Sequence, residues 1–582
     1  MISHLLRPAA GLAAAAALCA ACASSPHYPV TQTARPFSAM NAAIPNAAPN
    51  VAARVDAARI AAARSEPQNW LTYYGAYNGQ RFSPLDQVDA GNVSRLRPAW
   101  VFQAGVIGLV ATPATYSFEA APIVVDGVMY VSGWDGYLWA LDAVTGRLLW
   151  QYRHAVPLDV PLCCGNVNRG VAIAAGKVFM ATPNGQLVAL DAANGRPVWQ
   201  QVFADVRAGE SATGAPLVVK NLVLVGSSGG EYGVRGHIDA FDQATGNRVW
   251  RRYNVPKPGE PGADTWGQAR AWERGGGSAW ITGTYDPELD LIYWGTGNPG
   301  PDFDGSVRPG DNLYTSSVVA FDPDDGALRW HYQWTPHDVW DYDGINENIL
   351  FEQDGRKLLA HFDKNGYLFV LDRTNGRLVR ATRFGRATWG DIDETSGRVT
   401  VRLTPTPQGA EICPGPAGLK EWPHAAYNPG TGLLYTPVVE ACGTFRLKPS
   451  TFEESMPYWG GDASVEGHEQ WGHVKAIDPR TGREVWSWRA PHPIVSSVLT
   501  TAGGLVFAGE PTGEFHAFDA RTGQVLWTFQ TGSGIHSNPI SYSVNGKQYV
   551  AVPTGWGGWV EGYAPEMYGA PRGTALFVFA LP

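Results

Sequence analysis

The stretch GYLWALDAVTGRLLW (residues 136–150) joins an alternating segment, an Asp-Ala-Val-Thr-Gly turn and a second segment that ends on tryptophan. Alternation of this kind is typical of a half-buried strand, and a short turn that ends on glycine joins antiparallel strands. The stretch therefore predicts a β-hairpin whose second strand carries a large aromatic side chain.

The hairpin pattern recurs along the chain, usually at a spacing near 50 residues. With the shorter variant NVSRLRPAW (92–100), eight units end at Trp100, Trp150, Trp199, Trp250, Trp330, Arg380, Trp486 and Trp527. A further apolar strand pair, such as APIVVDGVMYVSG (121–133), precedes most units and completes a four-stranded sheet. This period suits one propeller blade, whereas the hairpins of a β-sandwich lack it. The sequence predicts an all-β, eight-bladed β-propeller with tryptophans docked between blades.

Two other segments refine this architecture. The C-terminal GTALFVFALP (573–582) predicts a strand that closes the circle by pairing with the N-terminal blade. The interval from Arg380 to Trp486 is about twice the normal length and predicts a long surface excursion near one mouth of the ring.

Composition agrees with many short strands and excludes one class of partner. The 582 residues include 68 Gly, 43 Pro and 23 Trp, which favour tight turns and pleated surfaces. The net charge of -9 and the pI near 5.8 do not provide the basic surface that a nucleic-acid-binding protein needs. We expect a small-molecule substrate or a protein partner.

The N-terminus indicates export to the periplasm. Residues 1–23 contain Arg7 followed by an apolar run of signal-peptide length, too short to span a membrane. Cleavage near Ala23 and lipid attachment at Cys22 are the two alternatives. Residues 24–66 predict a flexible lead-in because they are rich in Ala, Pro, Ser and Asn, and residues 67–582 form the propeller domain.

Four cysteines lie outside the signal segment, and disulfides are the default in an exported chain. Cys413 and Cys442 could bridge across a loop. Cys163 and Cys164 would then be either two free thiols or a strained ring, and such strain tends to occur at functional sites. The chain has no Cys-x-x-Cys-His motif, so covalently attached haem is not expected.

Polar stretches between the repeats suggest a cation site. The stretches are CCGNVNRG (163–170), GSSGGEYG (226–233), GTGNPGP (295–301) and WDYDG (340–344). Glu231, Asn298, Asp341 and Asp343 are spaced so that adjacent blades could each aim an oxygen at one point, and hard cations bind oxygen ligands. The alternative for Asp343 is that it caps the turn at the following glycine.

Over about residues 67–582 the sequence resembles the quinoprotein alcohol dehydrogenases of the methanol and ethanol dehydrogenase family. These are eight-bladed propellers that hold pyrroloquinoline quinone (PQQ) and a metal ion on the axis. CCGNVNRG is similar to the family's adjacent-cysteine segment, so the resemblance implies a Cys163–Cys164 disulfide against one face of the quinone. GGGSAW (275–280) resembles the segment whose tryptophan, here Trp280, stacks on the other face.

The resemblance also implies further cofactor-binding residues and two departures from the family pattern. The cofactor-binding positions are Glu119, Arg169, Thr213, Ser228, Gly229, Gly230, Ser278, Lys364 and Trp559. Cationic Arg169 and Lys364 suit a cofactor that carries carboxylates and gains electron density on reduction. Val495 and Glu421 stand where the family has tryptophan and asparagine, which puts the pocket lining and the substrate preference in doubt.

By the same resemblance Asp341 is the catalytic base, and Glu231, Asn298 and Asp341 bind the metal. Asp343 matches the additional acid that marks lanthanide-dependent members, so a lanthanide ion (La or Ce) is expected, with calcium as the alternative. The implied reaction is oxidation of a primary alcohol to an aldehyde, with electrons passed to a separate periplasmic cytochrome c because the chain has no haem motif.

Other functions fit less well. A non-catalytic exported propeller scaffold would share the tryptophan repeats, but it has no use for adjacent cysteines or for the WDYD acids. A calcium-dependent dehydrogenase of another alcohol or polyol is the nearer alternative. A hydrolase is not supported, because His468 and His473 in HEQWGH (468–473) do not have the spacing of a zinc-peptidase motif. Homodimer formation is left open.

Overall fold

The computed structural model describes residues 49–106, 117–157, 160–267, 270–555 and 573–582. Within these ranges, eight sheets of four or five strands follow one another along the chain. The predicted all-β propeller is confirmed, and the eight sheets agree with the eight units counted in the sequence.

Two strands precede the first blade, and the next four blades are each continuous in sequence. The first two strands are β1 (Phe82–Ser83) and β2 (Arg97–Val106). Blade 1 comprises β3 (Ile123–Val125), β4 (Val128–Ser132), β5 (Tyr137–Asp142) and β6 (Leu148–Arg153). Blade 2 comprises β7 (Ala172–Ala174), β8 (Lys177–Thr182), β9 (Gln186–Asp191) and β10 (Pro197–Val202). Blade 3 comprises β11 (Leu217–Val219), β12 (Leu222–Gly226), β13 (His237–Asp242) and β14 (Arg248–Tyr253). Blade 4 comprises β15 (Thr284–Asp286), β16 (Leu291–Thr296), β17 (Ser317–Phe321) and β18 (Leu328–Gln333).

The second half contains the predicted excursion and closes the ring. Blade 5 comprises β19 (Ile349–Gln353), β20 (Arg356–Phe362), β21 (Tyr367–Asp372) and β22 (Arg377–Arg383). The excursion adds β23 (Gly390–Ile392), β24 (Val399–Val401), β25 (Ala410–Ile412), β28 (Gly443–Leu447) and β29 (Gly461–Ser464). Blade 6 comprises β26 (Ala426–Asn428), β27 (Leu433–Ala441), β30 (Gln470–Asp478) and β31 (Arg483–Ala490). Blade 7 comprises β32 (Leu499–Thr501), β33 (Leu505–Gly509), β34 (Glu514–Asp519) and β35 (Val525–Gln530), with β1 added. Blade 8 comprises β36 (Ile540–Val544), β37 (Lys547–Thr554) and β38 (Gly573–Ala580), with β2.

Helices are few and short in the described ranges. The α-helix is α1 (Ala57–Ala61). The 3-10 helices are Val51–Arg54, Ala63–Ser65, Val93–Arg95, Val206–Ala208, Gly230–Tyr232, Ala263–Trp266, Arg270–Arg274 and Gly305–Val307. None of the described helices is long and apolar enough to cross a membrane.

The ring closes where the sequence predicts. Strand β38 pairs antiparallel with β2, with Trp100 opposite Val578. Trp100 then packs against blade 1, where a Cβ built on Gly146 would lie 2.4 Å from its ring. Gly146 has a φ of 71°, and Trp100 Nε1 donates to the Ala143 carbonyl at 3.3 Å. Trp150 repeats this contact on the carbonyl of Ala192 at 3.0 Å, so the tryptophans dock successive blades.

The last part of the predicted flexible lead-in is folded instead. Val51 and Ala52 are buried in the core cluster of the first blades. Arg59 of α1 donates to both Glu66 and Asp126 at 2.8 Å, which ties the segment to the turn between β3 and β4. Apolar contacts and this ion-pair network therefore order residues 49–66. The predicted signal segment 1–23 and residues 24–48 lie outside the described residues.

Strand parity places one set of loops at a common end of the propeller. In a sheet of four antiparallel strands, the loop between the second and third strands leaves the same end as the connection to the next blade. The Asp-x-x-x-Gly turns between the third and fourth strands lie at the opposite end. We call the first of these ends the loop end.

Candidate functional site

The predicted site residues converge on the loop end. Trp559 lies outside the described residues. The others occupy the connections before blades 1 to 5 (Glu119; Cys163, Cys164 and Arg169; Thr213; Ser278 and Trp280; Asp341 and Asp343) and the middle loops of blades 3 to 5 (Ser228 to Glu231; Asn298; Lys364). The alternating direction of the strands thus brings together residues that are separated by up to about 245 positions in the sequence.

Lys364 and Asp343 form the centre of the acidic part of the site. The Lys364 Nζ lies 3.0 Å from Asp343 Oδ2 and 3.7 Å from Asp341 Oδ2. Asp343 Oδ1 accepts the backbone N–H of Asn298 at 3.2 Å. Three of the four predicted metal-binding residues are therefore joined by direct contacts or through one lysine.

A buried carboxylate that the sequence reasoning missed shapes the WDYD loop. Asp338 accepts hydrogen bonds from the backbone N–H groups of Trp340 (2.9 Å), Tyr342 (2.9 Å) and Asp343 (3.1 Å). Asp341 and Asp343 adopt φ values of 64° and 57°, which L-residues rarely tolerate. Asp338 therefore folds the loop into a turn around its carboxylate.

A second missed acid lies beside Asn298. Asn298 Nδ2 donates to Asp302 Oδ1 at 2.9 Å, and both side chains are buried. The guanidinium of Arg308 donates to the carbonyls of Pro301 (2.9 Å) and Asp338 (2.6 Å), which links this loop to the WDYD loop. Asp302 stands four residues after Asn298 in the same Gly- and Pro-rich stretch, and that proximity was the available signal.

Burial and crowding raise the pKa values of the acids. Burial, and next the neighbouring Asp343, raise the pKa of Glu231 from 4.5 to about 7, against the effect of Lys364. Burial likewise raises the pKa of Asp302 and of Asp341 well above the usual range, and Asp343 adds to both. Burial opposes the charge of Lys364, but Asp341 and Asp343 keep its pKa well above the usual value. The cluster therefore has more negative charge than one lysine can balance, which suits a bound cation.

Carboxylate and amide oxygens are the donors that hard cations prefer, so the side chains present fit a metal of this class. In the described ranges, the group of three potential ligand side chains whose donor atoms lie within 4.8 Å of one another is Cys163, Cys164 and Glu231. The two cysteines are bonded to each other as the resemblance implies, and a disulfide sulfur is not a thiolate ligand. The contact places the disulfide directly beside the Glu231 carboxylate. Cys413 and Cys442 also form a disulfide.

Arg169 lies between two tryptophan rings in the same chamber. Its guanidinium carbon is 4.9 Å from the Trp280 ring centre and 4.6 Å from that of Trp422, a residue the sequence reasoning did not select. One terminal nitrogen lies 2.9 Å from Glu119 Oε2. The buried N–H groups at Nε and Nη1 have no hydrogen-bond partner among the described residues. Leaving such donors unpaired costs about 1–3 kcal/mol, so an electron-rich planar ligand fits this position.

Small and hydroxyl residues line the wall next to Glu231. Thr213 Oγ1 and Ser228 Oγ are 3.2 Å apart. Gly229 has a φ of 102°, and a Cβ built on it would lie 2.1 Å from the Gly209 carbonyl oxygen. A Cβ on Gly230 would lie 3.1 Å from the hydroxyl of Ser278. The close backbone approach and the positive φ therefore require glycine at position 229.

The two departures from the family pattern take different positions. Val495 is fully buried in a small apolar cluster with Val439 and Ala441. Glu421 is only partly buried and accepts the N–H of Trp422 at 2.6 Å. Burial raises the pKa of Glu421, while Lys364 lowers it. Glu421 is thus the departure that changes the chamber.

Comparison with known proteins identifies the family of this chain. The family model described as "PQQ: Glucose/ethanol/alcohol dehydrogenase, beta-propeller domain" matches residues 70–383 and 490–550. The quinoprotein alcohol dehydrogenase PedH of Pseudomonas putida is 38% identical over 553 residues, covering 89% of this chain and 91% of that protein. The lanthanide-dependent methanol dehydrogenase of Methylacidiphilum fumariolicum is 41% identical over 533 residues, covering 85% and 86%.

Solved structures give the same result. A europium-containing methanol dehydrogenase superposes with a TM-score of 0.84 at 38% identity, covering 90% of this chain and all of that one. The relatives are enzymes, which excludes the non-catalytic scaffold considered above. The chain belongs to the family of PQQ-dependent quinoprotein alcohol dehydrogenases.

Proposed function

We propose that the protein is a periplasmic enzyme that oxidises primary alcohols to aldehydes with PQQ and a lanthanide ion, and that a separate cytochrome c accepts the electrons. The observation that carries the proposal is the contact of Lys364 with both Asp341 and Asp343, together with the contact of Asn298 with Asp343. Glu231 is close enough to Asp343 for the pKa of Glu231 to respond. The unpaired N–H groups of Arg169 support it.

Glu231, Asn298, Asp341 and Asp343 would hold the metal, and Arg169, Trp280 and the Cys163–Cys164 disulfide would contact PQQ. When bound, PQQ supplies the electron-accepting carbonyl and the metal acts on it as a Lewis acid. A trivalent ion needs more anionic oxygen ligands than Ca²⁺, and Asp343 provides an additional carboxylate. Two relatives that are named as lanthanide-dependent methanol dehydrogenases support this choice.

The residues of the chain perform the acid–base part of the reaction. An Asp341 carboxylate oxygen takes the proton of the alcohol hydroxyl, and a carboxyl whose pKa is raised by burial is the stronger base. Lys364, 3.7 Å from Asp341, stabilises the negative charge before proton transfer. Arg169 presents positive charge to the electron-rich reduced cofactor, and the rings of Trp280 and Trp422 exclude water around it.

Calcium is the second candidate, and one contact favours it. The 3.0 Å approach of Lys364 to Asp343 neutralises part of the charge that would select a trivalent ion. A calcium-dependent dehydrogenase of another alcohol or polyol would use the same loops. The test below distinguishes the two ions.

The electron acceptor is inferred from the sequence and from surface charge. The absence of a Cys-x-x-Cys-His motif from these 582 residues supports transfer of the electrons to another protein. A net charge of -9 suits association with a basic cytochrome.

The test is dye-linked turnover of the purified metal-free protein with added PQQ, comparing La³⁺, Ce³⁺ and Ca²⁺ across short primary alcohols. We expect turnover with the lanthanides to exceed that with calcium. Asp343→Ala should lose lanthanide-supported turnover, whereas Asp325→Ala, in an exposed turn at the opposite end, should not. Absence of quinone-dependent turnover with all three ions would overturn the proposal. Unchanged La³⁺ activity in Asp343→Ala would exclude the lanthanide role of that residue.

A further inference from the structure

We infer that Asp302 is a positioning residue of the metal site, which orients the amide of Asn298 toward the cation and supplies the negative charge that favours a trivalent ion. This inference rests on the proposed function. Nothing in the sequence pattern or in the resemblance assigned a role to Asp302.

The hydrogen bond between the two side chains fixes the direction of the Asn298 amide. A carboxylate can only accept hydrogen bonds, so the contact of 2.9 Å to Asp302 Oδ1 must come from the NH₂ group. The amide oxygen of Asn298 then points away from Asp302. In the described part of the chain this oxygen accepts no hydrogen bond, although the residue is only 2% exposed. It is therefore free to bind a cation.

The carboxylate of Asp302 lacks a protein counter-ion. The side chain is 3% exposed, and no lysine, arginine or histidine of the described ranges lies within 4.0 Å of its oxygens. Arg308 is nearby, but it donates to the backbone carbonyl of Asp302 at 3.3 Å and not to the carboxylate. An isolated buried charge costs several kcal/mol. A cation bound by Asn298 would compensate that charge.

Charge balance gives Asp302 a part in ion selection. Glu231, Asp302, Asp341 and Asp343 carry four negative charges when ionised, and Lys364 carries one positive charge. Removal of Asp302 lowers the number of carboxylates in this group from four to three, which weakens the preference for a trivalent over a divalent ion. Asp302 is joined to this group through Asn298, whose side chain donates to Asp302 and whose backbone N–H donates to Asp343.

Two substitutions of Asp302 separate its effect on the orientation of the Asn298 amide from the effect of its negative charge. Asp302→Asn keeps an oxygen that can accept from Asn298 Nδ2 and removes only the charge. Asp302→Leu removes both the acceptor and the charge at similar size. Asp304→Asn is the matched control, because it removes a carboxylate two positions away that accepts from the backbone N–H (3.1 Å) and hydroxyl of Ser306 and does not contact Asn298.

The readout is binding of La³⁺ and Ca²⁺ to the full chain loaded with PQQ, measured by titration calorimetry, with thermal unfolding of the metal-free proteins alongside. Loss of an outer-shell partner typically weakens metal binding about 10- to 100-fold. We expect Asp302→Asn to bind La³⁺ about 10-fold more weakly with Ca²⁺ affinity changed less than about 3-fold, and Asp302→Leu to lose about 10- to 100-fold for both ions. Asp304→Asn should match the wild type.

The outcomes distinguish this inference from the proposed function. If the wild type binds both ions and both Asp302 variants bind them equally well, the role of Asp302 is refuted and the proposed function stands. If Asp302→Asn and Asp302→Leu lose the same affinity for each ion, Asp302 does not orient the Asn298 amide. If the wild type binds neither ion and shows no quinone-dependent turnover, the proposed function itself fails. A merely structural role would lower the unfolding temperature of Asp302→Asn without changing its La³⁺-to-Ca²⁺ affinity ratio.

Discussion

Replacing Asp338 by alanine removes the acceptor around which the WDYD loop folds. Its Oδ2 atom accepts from Tyr342 N (2.9 Å), Asp343 N (3.1 Å) and Ser316 Oγ (3.0 Å), and Oδ1 accepts from Trp340 N (2.9 Å). All four donors belong to buried residues. These bonds hold Asp341 and Asp343 in left-handed backbone conformations.

The magnitude follows from those bonds. A hydrogen bond to a charged acceptor contributes about 1.5–3 kcal/mol, so four of them contribute at least about 6 kcal/mol. Burial of the carboxylate, which raises the pKa of Asp338 to about 6, offsets part of this. Relaxation of two left-handed residues recovers about 1–2 kcal/mol each. We expect Asp338→Ala to lower the free energy of unfolding by about 2–4 kcal/mol, and Asp338→Asn, which keeps one acceptor, by about 1–2 kcal/mol.

The assay is urea unfolding of the metal-free protein together with La³⁺ affinity, because the relaxed loop no longer presents Asp341 and Asp343. Ser316→Ala, which removes a single bond, should cost less than about 1.5 kcal/mol and leave La³⁺ affinity unchanged. If Asp338→Ala unfolds at the same urea concentration as the wild type and binds La³⁺ equally well, the carboxylate does not organise the loop.

Three further perturbations test the ring, the buried core and the electrostatics. Gly146→Ala should lower the free energy of unfolding by about 2–4 kcal/mol, because the added Cβ would lie 2.4 Å from the Trp100 ring. Gly355→Ala, at a similar φ of 73° in open space, tests backbone strain alone. Equal unfolding temperatures of the two variants would contradict the docking of Trp100. Lys420→Met leaves the buried Glu347 carboxylate without its 2.8 Å partner and should lower the free energy of unfolding, measured with urea, by about 3–5 kcal/mol. The double variant Lys420→Met/Glu347→Gln should recover this stability. If it does not, the Lys420–Glu347 ion pair is not the cause of the loss. The pKa of Glu231 rises from 4.5 to about 7 on folding, so the folded state binds more protons in that window. The metal-free wild type should therefore lose stability relative to Glu231→Gln as pH rises from about 5 to 7, and parallel pH curves would contradict the raised pKa.

The site could be predicted only in part from the sequence. The residues Glu231, Asn298, Asp341, Asp343 and Lys364 were selected, and the structure places them on loops of one end. Trp422 was missed because its role depends on a contact with Arg169 from another blade. Asp302 and Asp338 were missed because they act within irregular loops whose folding no repeat pattern reveals. Conversely, Val495 was expected to affect the pocket lining but lies in an apolar cluster, since sequence position does not reveal which way a side chain faces.

The sequence by itself determined the blades, because each repeat contains its own strands, turn and docking tryptophan, and these contacts join residues close in the chain or one repeat apart. It also determined the closing strand, whose apolar alternation needs a partner. Only the tertiary structure decided the geometry at the loop end. There the acids occupy irregular loops without a repeating pattern, and their spacing, backbone conformation and pKa values arise from burial and from neighbours that the closed ring brings together.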